Sequence, residues 1–131
     1  MKEKTQKQNI GNIGEELAAR FLVKQGYDIV ERNYRKPFGE IDIIGRKEGL
    51  LHFVEVKTVS RETGFTLADE YRPEDNVHQN KLKRIGRTIQ AYLSELDQEY
   101  EWQFHVVTIL LNSKDKTAKI VMMKDLIIDA E

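Results

Sequence analysis

Three ionisable residues stand inside the most hydrophobic short runs of this chain. Asp42 interrupts Ile41 and Ile43-Ile44, and Glu55 and Lys57 interrupt Phe53-Val54 and Val56. Both runs are short and β-branched, which predicts strands, yet aspartate is depleted in strands and an unpaired buried carboxylate is costly. Side chains alternate along a strand, so Glu55 and Lys57 share a face about 6–7 Å apart. The turn Arg46-Lys47-Glu48-Gly49 joins the two runs as a hairpin, and pairing them brings Asp42 alongside Glu55. Neighbouring carboxylates raise each other's pKa unless a cation compensates. Two readings stay open from the residues alone. One is the wet face of a half-exposed sheet. The other is a site for a hard cation such as Mg²⁺, which takes one or two carboxylates, waters and substrate phosphates. Lys57 would then orient a water or offset charge on the phosphorus, and the spacing fits metal-assisted phosphodiester hydrolysis.

The rest of the pattern surrounds that hairpin with helices. Ile10, Ile13, Leu17, Ala18, Phe21 and Leu22 recur at helical spacing, with Asn12 and Glu15 as a capping pair and Gly26 as the stop. Residues 1–8, rich in Lys and Gln, read as a flexible tail ahead of one domain over 9–131. Residues 27–34 alternate as a first strand, followed by the basic turn Arg35-Lys36-Pro37-Phe38-Gly39. The charged stretch 60–76 reads as a long loop, of the kind that is often functional. A second helix starts near Asn76 with Leu82, Ile85, Ile89, Tyr92 and Leu93 on one face. Trp102–Leu111 and Ala118–Met123 read as two last strands. The predicted order is α-β-β-β-α-β-β, a mixed α/β domain with a helix on each side of one sheet.

Composition narrows the function classes. The chain has 131 residues, with 21 Lys+Arg against 22 Asp+Glu for a net charge of −1, so a case for a polyanionic partner must rest on local clustering. Lys81, Lys83, Arg84 and Arg87 form such a cluster, which Arg32, Arg35, Lys36 and Arg46 extend; a solvated helix face is the plainer reading. Without cysteine there is no disulfide frame, thiolate zinc site or cysteine nucleophile. His52, His78 and His105 lack metal-ligand spacing, and His105, in an apolar strand, reads as a hydrogen-bonded core residue. Gly11-x-x-Gly14 reads as a helix entrance and not as a phosphate loop. Glu15 reads as a capping acid that borders the apolar stripe and can lean over the sheet, and Glu40 as a strand-end charge or a neighbour of the site. No signal peptide or membrane span is visible, so a cytoplasmic protein is expected.

Gly14-Glu15-Glu16-Leu17-Ala18, Asn33-Tyr34-Arg35, Gly39-Glu40-Ile41-Asp42-Ile43-Ile44, Phe53-Val54-Glu55-Val56-Lys57-Thr58 and Lys81 closely resemble the YraN family of small bacterial proteins. That family looks like a member of the restriction-endonuclease-like PD-(D/E)xK superfamily, similar to archaeal Holliday-junction resolvases. The resemblance, over about residues 9–107, implies a restriction-endonuclease-like core. It also implies metal ligation of Mg²⁺ or Mn²⁺ by Asp42, Glu55 and the Val56 carbonyl, a catalytic Lys57, a helix-borne acid at Glu15 and a phosphate contact at Lys81. Leu82 and His105 depart from the family's usual Gln and Asp. The resulting expectation is a metal-dependent endonuclease that acts on DNA, branched DNA by analogy, as a homodimer in the manner of resolvases. Arg35, Lys36, Lys81, Arg84 and Arg87 would hold the backbone and the 60–76 loop would close over it. A non-catalytic nucleic-acid-binding adaptor for recombination or repair is the alternative, and RNA is the other substrate.

Overall fold

The computed structural model describes residues 5–62, 65 and 79–128. Helix α1 (Gln6–Lys24) leads into strands β1 (Asp28–Lys36), β2 (Gly39–Lys47) and β3 (Leu50–Arg61). Helix α2 (Gln79–Ser94) and strands β4 (Trp102–Asn112) and β5 (Thr117–Met123) complete the order α-β-β-β-α-β-β read from the sequence. The strands lie in one sheet in chain order. Antiparallel pairing joins β1 to β2, β2 to β3 and β4 to β5, while β3 and β4 run parallel from Leu51↔Trp102 to Arg61↔Asn112. Parallel neighbours need a crossover, and α2 lies within it. The result is the expected restriction-endonuclease-like α/β arrangement, a mixed sheet between two helices.

Each helix covers its own apolar cluster. Ala18, Leu22, Ile43, Val54, Val107 and Ile109 pack under α1, and Ile41, Phe53, Ile85, Ile89, Tyr92 and Phe104 under α2. The residues read as one face of the second helix are among those that meet the sheet. Its first residues, 76–78, and most of the 60–76 stretch lie outside the described residues; Ser60 and Arg61 belong to β3.

The start of α1 differs from the sequence reading. Thr5 is the cap: its hydroxyl accepts the Gln8 N–H at 3.1 Å, and the Gln8 side chain accepts the Thr5 N–H at 2.9 Å. Lys and Gln are good helix formers, so the polar composition that suggested a tail extends the helix backwards once that capping box closes. Asn12 and Glu15 therefore sit in the helix body. Gly26, at φ 95, follows the helix as expected of a left-handed stop.

Candidate functional site

The sheet opens where the acids lie. β2 and β3 pair from Lys47↔Leu50 to Ile43↔Val54, and there the ladder stops, although β3 continues against β4 to Arg61. β2 changes faces at the same point. Ile43 packs beneath α1, but Ile41 packs beneath α2. Strict alternation would keep both on one face. Across β1, Asn33 sits between the partners of these two residues and is left-handed, at φ 54, a region asparagine enters more readily than most residues. Asp42 stands at the switch. In place of a further backbone bond, its Oδ2 accepts the Val56 N–H at 2.7 Å. The N–H and C=O of one strand residue point to the same edge. The Val56 carbonyl therefore also faces the opening left by β2.

Asp42 and Glu55 are each 6% exposed. Burial first, and the Glu55 carboxylate next, push the Asp42 carboxyl up to about 8, and Glu15 and Glu40 add to the effect while the Val56 amide opposes it. Burial also raises Glu55, against the pull of Lys81 and a hydrogen bond with Asp42. Burial therefore favours the protonated form of both acids, and at about 8 the Asp42 carboxyl keeps its proton at neutral pH. Lys81 reaches Glu55 Oε1 at 2.8 Å. Burial works against its ammonium, but the Glu55 carboxylate outweighs this and raises its pKa. Lys57 lies half-buried two residues along β3, on the face of Glu55. The donors gathered here, two carboxylates and one carbonyl, are hard oxygens suited to Mg²⁺ or Mn²⁺. Among the described residues no three His, Cys, Asp or Glu side chains gather as a cage. Two carboxylates completed by water and phosphate are what Mg²⁺ usually takes.

Glu15 reaches this region because α1 crosses β3 very closely at Gly14. A Cβ there would collide with the Thr58 side chain. Gly14 is thus a contact point and not the helix entrance read from the sequence. Glu15 borders a groove together with Val56 and Thr58, and its charge is felt at Asp42.

The cations expected to hold a backbone fall into two groups. Arg35, Lys36, Arg84 and Arg87 line one groove with Phe38 and Glu40, and the Arg87 guanidinium lies 4.3 Å from the Phe38 ring centre. Gly39 permits this approach of β2 to α2, since a Cβ there would stand 3.0 Å from the Arg84 carbonyl oxygen. Two of the four are already engaged, Arg35 with Glu40 at 3.0 Å and Lys36 with Glu95 at 2.8 Å. Arg32 and Arg46 do not extend the groove. Arg32 pairs with Glu16 at 3.0 Å beside α1, and Arg46 lies over Tyr100.

His105 is fully buried and hydrogen-bonded as expected. The Asp125 N–H donates to His105 Nδ1 at 2.9 Å, and His105 Nε2 lies 2.9 Å from His52 Nδ1. With the backbone donor fixed on Nδ1, the consistent neutral tautomer has His105 Nε2–H donating to His52. Burial lowers both imidazoles, His105 to about 4. This pair lacked any sequence signal, because its two members are 53 residues apart.

Fold and site together define a restriction-endonuclease-like α/β protein with a buried acidic pair at the opening of its sheet. A family model described as Uncharacterised protein family UPF0102 matches residues 14–109, and the chain belongs to that family. It is 40% identical over 99 residues to a UPF0102 protein of Campylobacter fetus, covering 76% of this chain and 81% of that one. A UPF0102 protein of Caldicellulosiruptor bescii is 37% identical over 119 residues, covering 88% and 94%. One from Nitratiruptor is 33% identical over 114 residues, covering 87% and 94%. The matched residues contain Glu15, Asp42, Glu55, Lys57 and Lys81. No helix among the described residues is long and apolar enough to cross a membrane.

Proposed function

We propose that this protein is a metal-dependent endonuclease that hydrolyses phosphodiesters in DNA, with branched DNA as the substrate class and a homodimer as the form that cuts two strands. The supporting observation is the buried Asp42–Glu55 pair at the place where β2 leaves β3. A fold gains no stability from two adjacent buried acids, whereas a cation site needs them. Asp42, Glu55 and the Val56 carbonyl hold the ion. Bound Mg²⁺ or Mn²⁺ supplies a water of lowered pKa and a polarised phosphoryl oxygen. Lys57 positions the attacking water and offsets charge on the phosphate. Glu15 would support a second cation or the attacking water. Lys81 leaves Glu55 for a phosphate oxygen. Arg84 and Arg87, with Arg35 and Lys36, hold the flanking backbone through contacts that carry no base sequence.

The test is cleavage of a four-way junction, a flap, a duplex, a single strand and an RNA in Mg²⁺ or Mn²⁺, with Glu55→Ala and Lys57→Ala beside the wild type. Cutting by the wild type alone, with binding kept by both variants, supports the nuclease reading and names the substrate. Binding without cutting, or equal cutting by the variants, refutes it. The Lys81–Glu55 ion pair then favours a non-catalytic nucleic-acid-binding adaptor, in which lysine fills the place of a cation.

A further inference from the structure

We propose that the groove between the start of α1 and the outer half of β3 seats the nucleoside attached to the phosphate at Asp42 and Glu55, and that Gly11 keeps this seat open. The inference rests on the nuclease reading and adds to it where the substrate lies. The groove has a volume of about 710 Å³ and is bordered by Ile10, Gly11, Glu15, Val56, Thr58 and Ser60, among others. Glu15, whose charge is felt at Asp42, and Val56, whose amide Asp42 accepts, both border the groove, so it lies beside the acidic site. Small-molecule sites span roughly 300–1,000 Å³, which admits a sugar with its base.

Gly11 carries the argument. It lies within α1, where glycine is the poorest helix former apart from proline. Its neighbour Gly14 is required by Thr58, but a Cβ on Gly11 would meet nothing within 4 Å among the described residues. Nor does Gly11 adopt a positive φ. Among the described residues, packing and backbone geometry thus give no reason for glycine at this position. A side chain there would enter the groove.

The lining selects the occupant. Ile10 and Val56 are apolar, Thr58 and Ser60 carry hydroxyls, and Lys7 and Glu15 set one charge of each sign at the border, a mixture that suits the apolar face and polar edge of a base with its sugar. Phosphates are better served by the groove of Arg35, Lys36, Arg84 and Arg87. Glu15 borders the one groove and Glu40 the other, and both charges are felt at Asp42, which leaves one groove for a nucleoside and one for the backbone.

A size series decides the matter: Gly11→Ala, Gly11→Leu and Gly11→Phe, with Ser60→Phe filling the groove from the strand side. Each is measured for thermal midpoint, for binding of a fluorescein-labelled four-way junction and single strand in Ca²⁺, and for cleavage in Mg²⁺. Gly11→Ala should keep or raise the midpoint. Leu and Phe should weaken binding in order of size, by about tenfold or more, with the midpoint retained. If the larger residues at position 11 unfold the chain, Ser60→Phe decides by the same binding criterion. Wild-type binding by the folded filled variants overturns the proposal, as does a lowered midpoint for Gly11→Ala. A wild type that binds but never cuts defeats the nuclease reading while the binding series still judges the groove. A wild type that cuts, beside filled variants that bind and cut equally well, defeats the groove alone.

Discussion

Asp42→Asn should make the protein more stable while abolishing any cleavage. The Asp42 carboxyl titrates near 4 in an unfolded chain and is pushed up to about 8 in the folded one, chiefly by burial. Between those values the folded state binds the extra proton, so stability falls as pH rises through the window and the loss is complete above about 8. One full proton amounts to about 1.4 kcal/mol per pH unit, hence a ceiling of roughly 5–6 kcal/mol across the gap. Relaxation and the sharing of the proton with Glu55 reduce this, and about 2–4 kcal/mol at pH 8 is the working expectation. Asparagine keeps an oxygen for the Val56 amide and a donor for Glu55, and it has no charge to bury. His105 acts in the opposite sense. Its imidazole is lowered to about 4, so the stability it contributes is present above about 6.5 and is lost as pH falls towards 4. The two slopes oppose one another below pH 6.5, and the slope from the buried acids continues from there to 8. Urea unfolding of wild type and Asp42→Asn at half-unit steps from pH 5 to 8.5 measures both. The gap between the curves should widen with pH, and the variant alone should still weaken in acid. A variant less stable than wild type at pH 8, or parallel curves, would refute the reasoning.

Three further outcomes follow from the same geometry. Binding of Mn²⁺ near pH 7 should release close to one proton, seen by calorimetry in buffers of different ionisation enthalpy, and affinity should rise with pH; Glu55→Gln should remove most of the binding. Gly14→Ala should destabilise the fold by about 1–3 kcal/mol through overpacking against Thr58, measured by urea unfolding. Arg84→Gln with Arg87→Gln should weaken DNA binding without altering base preference and flatten the salt dependence by about two contacts, read from the slope of log affinity against log salt.

The order of elements was legible because each has a short, strong local signal: helical spacing under α1 and α2, β-branched runs in β2 and β3, and a turn between them. The hairpin register also followed from that turn, and with it the meeting of Asp42 and Glu55. The face switch of β2 was not legible, since alternation is the rule a sequence reader must apply and the left-handed Asn33 lies on the neighbouring strand. The Thr5 cap was missed because a Lys/Gln-rich start resembles a tail until one hydroxyl and one amide close on each other. Lys81 was assigned to a phosphate, but its ion pair with Glu55 depends on how α2 returns across the sheet. No local pattern encodes that return, nor the meeting of His52 with His105.

Where the sheet opens, one carboxylate replaces backbone pairing and ties the end of β2 to β3 through the Val56 amide. That single N–H is consequently a built-in reporter. Its proton resonance should lie downfield, move with the titration of Asp42 and move again when a divalent ion enters. Its exchange with solvent should record how often β2 lifts away from β3. An ¹⁵N-labelled sample would let one backbone position follow acid, cation and hairpin opening together, with no probe added to the molecule.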